Sequence, residues 1–326
     1  MSTPETNLAA THVLTVTKAS PLVAPRLAQT FTLHDRLHES DPAALAAIAP
    51  QVQGIFASGD SKVSGDLIAQ LPALKVISVM GVGYDGIDVA SAKARGIMVT
   101  HTPDVLNDDV ADLALGLMLC AARQLPAADR YVRAGQWLGG PMPLARKLSG
   151  ARLGIVGMGR IGQAIAQRAA AFNMNIAYTA RSAKPALPYA FWPDATALAA
   201  HCDVLVVITP GGAGTRHLIN AQVLQALGDS SKGQGILVNV ARGSVVDETA
   251  LIDALERGVI GSAGLDVFEA EPQVPARLLA LSQVVVSPHI GSATGQTRQA
   301  MADLAFDNLQ RALSGQPVRT PVPELR

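Results

Sequence analysis

Short apolar runs alternate with Ala- and Leu-rich stretches through the first hundred residues. HVLTVT (12–17), GIFAS (54–58), KVISVM (75–80) and IMVTH (97–101) predict strands, and segments such as DPAALAAIA (41–49) predict helices. Strands alternating with helices imply parallel βαβ units. From about 107 to 134, around DVADLALGLMLCAARQL, the apolar residues keep to one broad face. That predicts a single helix longer than an ordinary crossover. WLGGPMPLARKLSG (137–150) predicts a loop. A second series then begins at ARLGIVG (151–157) and continues through IAYTA, DVLVVITP, GILVNVA, SAGLDVF and VVVSPH to a last predicted helix at 294–313. The pattern predicts two α/β lobes. Open parallel sheets bind ligands at the carboxyl ends of their strands, and Arg242, Asp266 and His289 fall at such ends.

Composition narrows the classes. A chain of 326 residues suits two domains of roughly 100–200 residues each. Hydrophobic residues make up 49% and charged residues 16%, which is globular material and not a disordered chain. Lys+Arg and Asp+Glu both total 26, so no electrostatic footprint points to nucleic acid or an anionic membrane. No apolar run reaches the ~18 residues of a transmembrane span. The opening MSTPETNLAA has no basic or apolar signal region. Cys120 lies in an apolar helical run and Cys202 just before a predicted strand; both read as reduced, buried thiols. A cytoplasmic protein is expected. The seven histidines are scattered, with no HExxH and no cysteine pairing, so no metal site is expected.

LGIVGMGRIG places Gly157, Gly159 and Gly162 in G-x-G-x-x-G spacing, after an apolar strand and at the start of the helical stretch RIGQAIAQRAAAF. That context makes the motif a dinucleotide fingerprint. The first glycine allows a tight turn, the second lets the backbone approach a pyrophosphate, and the third lets helix and strand pack closely. The helix N-terminus offers N–H groups and a positive dipole end to the phosphates. About twenty residues further on, such sites carry an acid for the ribose hydroxyls. Here Arg181 stands nineteen residues beyond Gly162, followed by Ser182 and Lys184. An acid there would repel a 2′-phosphate, whereas a guanidinium can clasp one bidentately, a serine hydroxyl can donate to it and a lysine adds a point charge. NADPH is therefore expected over NADH.

NVARGSVVDE, GLDVFEAEP and SPHIGSAT bring Arg242, Glu271 and His289 to strand ends in the same lobe. A histidine with a carboxylate partner is a tunable proton donor, and an arginine can hold a carboxylate. With these motifs in this order, the chain resembles the D-isomer-specific 2-hydroxyacid dehydrogenase family over nearly its whole length, most clearly from about residue 76 to 321. Through VMGVGYDGID, DDVADLALGLML, RSAKP and MADLAFDNLQRALSGQPVRTPV it looks most like the NADPH-dependent glyoxylate/hydroxypyruvate reductases in that family.

The resemblance implies an α/β fold of two Rossmann-like lobes, a flavodoxin-like substrate lobe (1–103 and 290–326) and a doubly wound dinucleotide-binding lobe (104–289), with the active site in the cleft between them. It implies that Arg242 orients a 2-keto acid and polarises its carbonyl. His289 would protonate the developing alkoxide, and Glu271 would pair with His289 and keep it protonated. The backbone N–H groups of Val82 and Gly83 would bind the substrate carboxylate. Asp266 would face the nicotinamide carboxamide, and Arg160, Ile161, Thr209, Pro210, Val240 and Ala241 would join the cofactor site. The 107–134 helix would serve a homodimer contact or lobe packing, and Trp137 a partner's pocket or ordinary packing. His101 is expected to be structural. VITPGGAGTRHLIN (207–220) departs from the family's loop, and its three glycines predict flexibility near the cofactor. Val82 stands where phosphite-oxidising relatives carry lysine, which argues against phosphite. Two other readings remain open: a dehydrogenase of another 2-hydroxy acid such as 3-phosphoglycerate, for which residues 80–86 lack a basic cluster, and a nucleotide-sensing corepressor-like binding protein.

Overall fold

The computed structural model describes residues 8–326. Residues 1–7, on which most of the reading of MSTPETNLAA falls, lie outside the described residues. The chain divides into two compact units, one formed by the residues up to Leu106 with Ala293–Arg326 and the other by Asn107–Ser292. Each boundary falls three residues beyond the expected 103/104 and 289/290. At the second crossing the reason is local: the N–H groups of Ile290 and Gly291 donate to the Asp266 carboxylate at 2.8 Å each, which holds both residues to the Asn107–Ser292 unit.

The first unit is a parallel sheet of β1 (His12–Thr15), β2 (Thr32–Asp35), β3 (Val52–Ser58), β4 (Val76–Met80) and β5 (Met98–Thr100), in the order β2-β1-β3-β4-β5. This is the flavodoxin-type order. β4 is buried along its whole length, as a strand covered on both faces must be. The helix Gly295–Leu313 covers one face, where the Ser78 hydroxyl donates to the Ala305 carbonyl at 2.8 Å. Edge strand β2, TLHD, was not visible as a strand in the sequence. It is only half-buried and lacks apolar alternation.

The second unit is a seven-stranded parallel sheet of β6 (Arg152–Val156), β7 (Asn175–Thr179), β8 (Ala190–Phe191), β9 (Val204–Val207), β10 (Ile236–Asn239), β11 (Ser262–Leu265) and β12 (Val284–Val286). The order β12-β11-β10-β9-β6-β7-β8 is that of a doubly wound dinucleotide-binding sheet with one added strand. Strands β9, β10 and β11 are buried throughout, and the core packs Leu205, Leu237 and Leu265 against Leu224 and Leu251 of the covering helices.

The single helix expected over 107–134 is two. Asn107–Arg123 and Leu125–Arg133 meet at 58°. Gln124 adopts a left-handed φ of 52°, and Pro126 in the first turn of the second helix has no N–H to continue the ladder of the first. The first helix buries Ala111, Ala114, Leu117 and Met118, whereas the second buries no residue. Beyond it the chain forms a 3-10 turn at Gln136–Gly139, with Leu138 96% and Leu144 101% exposed. Among the described residues no single helix is long and apolar enough to cross a membrane.

Candidate active site

Six adjacent strands of the second unit deliver the expected residues from their carboxyl ends. Gly157–Gly162 follows β6; Arg181, Ser182 and Lys184 follow β7; Thr209 and Pro210 follow β9. Val240, Ala241 and Arg242 follow β10, Asp266 and Glu271 follow β11, and His289 follows β12. Parallel pairing keeps these ends in line, because strands running the same way finish on the same edge.

The fingerprint fits a dinucleotide. Gly157 has φ 107°, and a side chain there would meet the Ile208 carbonyl oxygen at 2.7 Å. A side chain at Gly162 would meet the Gly157 carbonyl oxygen at 2.1 Å, which is the close packing of helix on strand that the motif needs. Gly159, by contrast, faces open space, and no side chain caps the N-terminus of the helix Arg160–Ala170. This is a cradle of backbone N–H groups at a positive helix end. The Gly157 N–H donates to the Thr179 carbonyl at 2.9 Å, so the loop after β7 starts beside the fingerprint. Arg181 and Ser182 are exposed on that loop. The Lys184 N–H donates to the buried Tyr178 hydroxyl at 2.6 Å, an anchor that the sequence reading missed.

His289 and Glu271 meet directly, with His289 Nδ1 2.7 Å from Glu271 Oε2. The other carboxylate oxygen accepts the Phe268 N–H at 2.9 Å. Burial alone would push the Glu271 carboxyl up, but the His289 hydrogen bond, the Phe268 N–H and the charges of His289 and Arg242 outweigh it and hold it below its ordinary value. His289 itself has a left-handed φ of 51°. A non-glycine residue keeps that conformation only where its surroundings impose it. Here Asp266 does so. Its carbonyl accepts the His289 N–H at 2.8 Å, and its carboxylate accepts the Ser287 hydroxyl at 2.6 Å besides the Ile290 and Gly291 N–H groups. Expected to face the cofactor carboxamide, Asp266 is 2% exposed and spends three acceptor positions on the turn that carries His289.

The Arg242 turn is built by Asn239, which the sequence reading passed over. Its buried amide donates to the Arg242 carbonyl at 3.0 Å and accepts the Ala241 N–H at 3.1 Å. Gly243 then lies backbone to backbone against Phe268, where a side chain would come within 1.9 Å of its carbonyl carbon. Arg242 and Glu271 thus sit on two turns in contact. The glycine-rich loop after β9, expected to be flexible, makes hydrogen bonds within itself and to the segment after Arg242. The Thr215 hydroxyl donates to the Pro210 carbonyl at 2.7 Å, and the His217 N–H donates to the Ser244 carbonyl at 2.9 Å.

In the first unit, the loop after β4 carries Val82 and Gly83. His101 Nδ1–H donates to the Val82 carbonyl at 3.0 Å, the Thr102 N–H donates to the Gly81 carbonyl at 2.8 Å, and Tyr84 packs edge-on against the His101 ring. His101 therefore shapes this loop. Among the described residues the Val82 and Gly83 N–H groups have no acceptor.

A histidine–carboxylate pair and an arginine beside a dinucleotide cradle make this unit the cofactor-binding half of an oxidoreductase. Comparison with known proteins identifies which. The profile of the D-isomer-specific 2-hydroxyacid dehydrogenase NAD-binding domain matches residues 115–291. Hydroxyphenylpyruvate reductase of Plectranthus scutellarioides is 45% identical over 278 residues, 85% of this chain and 88% of that one. The 2-ketogluconate reductase of Gluconobacter oxydans is 43% identical over 310 residues, 95% of this chain and 98% of that one. The crystal structure of an NADPH-dependent glyoxylate/hydroxypyruvate reductase from Sinorhizobium meliloti, in complex with NADP and malonate, superposes with a TM-score of 0.90 at 44% identity, covering 97% of this chain and 98% of that one. The chain belongs to the D-isomer-specific 2-hydroxyacid dehydrogenase family. It is an oxidoreductase that uses a nicotinamide cofactor.

Proposed function

We propose that the protein reduces small 2-keto acids, glyoxylate and hydroxypyruvate first, to D-2-hydroxy acids, with NADPH preferred over NADH. The observation that carries the reading is the 2.7 Å His289–Glu271 pair, set in the same unit as a nucleotide loop that bears Arg181 and Ser182 where an acid would select NADH. The similar Sinorhizobium meliloti enzyme, NADPH-dependent and acting on glyoxylate and hydroxypyruvate, supports it.

The cradle at Gly157–Gly162 would hold the pyrophosphate, and Arg181 and Ser182 would clasp the 2′-phosphate. When bound, the cofactor supplies the hydride that adds to C2 of the keto acid. Arg242 holds the substrate carboxylate and polarises the carbonyl. Glu271 engages His289 Nδ1, which leaves Nε2 to give its proton to the developing alkoxide. The exposed arm around Leu138 and Leu144 is apolar surface of the kind that marks an interface, and we assign it to a homodimer. The cytoplasm is the compartment that the two free cysteines suit.

Initial rates with NADPH and NADH, each paired with glyoxylate, hydroxypyruvate, pyruvate, 2-ketogluconate and hydroxyphenylpyruvate, test the reading. NADPH with the first two substrates is expected to give the highest kcat/KM. Arg181→Ala is expected to raise KM for NADPH about tenfold or more, the loss of one charge-assisted contact, and to leave NADH nearly unchanged. A preference for NADH, or an equal effect of Arg181→Ala on both cofactors, refutes the cofactor assignment. Unimpaired turnover in His289→Ala refutes the mechanism.

A further inference from the structure

A second histidine–carboxylate pair lies close in sequence to Glu271. His217 Nε2 is hydrogen-bonded to Glu269 Oε1, two residues before Glu271. Other charges face the pair. Asp247 Oδ2 lies 3.9 Å from His217 Nδ1, Arg216 lies 3.9 Å from Glu269 Oε1, and Glu248 also faces Glu269. Both partners are about one-third exposed, and ion pairs near the surface contribute little to stability.

Its position in the fold suggests another task. His217 has a left-handed φ of 49°, a conformation that needs an external hold. That hold comes from the segment after Arg242. The His217 N–H donates to the Ser244 carbonyl at 2.9 Å, the Ile219 N–H donates to the Val245 carbonyl at 3.0 Å, and the Asp247 N–H donates to the Ile219 carbonyl at 2.9 Å. On the other side, Glu269 follows Phe268, whose N–H holds Glu271 and whose carbonyl carbon abuts Gly243. Three loops therefore meet at His217: the one from Thr209 and Pro210, the one from Arg242, and the one that bears Glu271.

We propose that His217 is a positioning residue for the reduction. Through Glu269 it fixes the segment that holds Glu271 against His289, and it ties that segment to the loop bearing Thr209 and Pro210. The proposal rests on the reading of Arg242, Glu271 and His289 as the catalytic group.

His217→Leu removes the donor, and His217→Gln keeps an N–H near the place of Nε2. Initial rates of glyoxylate reduction by NADPH are measured from about pH 5.5 to 9, the range that brackets a histidine acid. His217→Leu is expected to lower kcat/KM about tenfold, in line with the cost of small misplacements at a reacting centre. It is also expected to move the alkaline limb of the profile to lower pH, as His289 loses a well-placed Glu271. His217→Gln is expected to stay close to wild type on both counts. Glu269→Ala, which removes the acceptor and carries the test should His217→Leu fail to fold, is expected to repeat the loss and the displaced limb. An unmoved alkaline limb in His217→Leu and Glu269→Ala overturns the proposal, as does an equal loss in His217→Leu and His217→Gln. His289→Asn separates the two readings. Full activity in that variant withdraws the catalytic assignment, whereas an inactive His289→Asn beside a fully active His217→Leu defeats the positioning role alone.

Discussion

Replacing Asp266 with asparagine keeps the size of a buried side chain and removes part of its accepting capacity. In the native turn both carboxylate oxygens are used, one by the Ser287 hydroxyl and the Ile290 N–H, the other by the Gly291 N–H. An asparagine oriented to serve the first two turns its own NH2 toward Gly291, donor against donor. The buried Gly291 N–H is then left without a partner, at about 1–3 kcal/mol. The two surviving bonds lose their charge assistance, worth about 1 kcal/mol each. The expected loss is about 3–5 kcal/mol, or a thermal midpoint lower by roughly 10 °C for a domain of this size. Because the same turn imposes φ 51° on His289, kcat should fall with it, while KM for the nicotinamide cofactor changes little. Thermal unfolding followed by circular dichroism, beside initial rates over a range of cofactor concentrations, measures both. An unchanged midpoint with a raised cofactor KM would refute this reasoning. It would instead return Asp266 to the carboxamide role that the family resemblance implies.

Gly243→Ala puts a methyl group within 1.9 Å of the Phe268 carbonyl carbon, so it should separate the Arg242 and Glu271 turns and lower kcat/KM at least tenfold; wild-type rates would show that the two turns need not touch. Cys202 is 1% exposed, and burial pushes its thiol up to about 12. A thiol reagent at neutral pH should therefore spare Cys202 until the protein unfolds, and peptide mapping of the labelled native protein checks this. Glu271 is held below its ordinary value, so its folded-state contribution is complete above the ordinary carboxylate range and is lost as pH falls through its depressed value. The difference in thermal midpoint between wild type and Glu271→Gln should thus persist at about pH 5 and shrink only in stronger acid; a difference that has already vanished at pH 5 counts against the pairing. Leu138→Glu with Leu144→Glu should shift the protein toward monomer in light scattering, and an unchanged mass removes the arm from the interface.

The parts of this site that could be read from the sequence are those in which one short segment does the work. The glycine fingerprint, Arg242, Glu271 and His289 each stand at the end of an apolar run, so their placement on one sheet edge follows from the parallel order alone. The Asp266 contacts were not legible, because its partners Ser287, Ile290 and Gly291 come from the next strand's end, and only the register of β11 with β12 brings them together. The His217–Glu269 pair joins loops after β9 and β11 that lie far apart in the chain, and the Tyr178 anchor, although local, depends on the path of the loop after β7, which no apolar pattern gives. β2 and β8 were missed because one is polar and half-buried and the other is two exposed residues long. The break at Gln124 had a visible cause in Pro126, but the apolar face runs across it and concealed the bend.

The first unit gathers its sheet from the early residues and its cover from the helix Gly295–Leu313. During synthesis on the ribosome, β1 to β5 emerge long before that helix exists. Until it arrives, the face of β4 on which Ser78 meets Ala305 has no native partner. The intervening unit carries its whole sheet within one continuous stretch and can close first. Nascent chains should therefore pass through a stage with one finished unit and one unfinished, apolar-faced sheet, the kind of surface that chaperones bind.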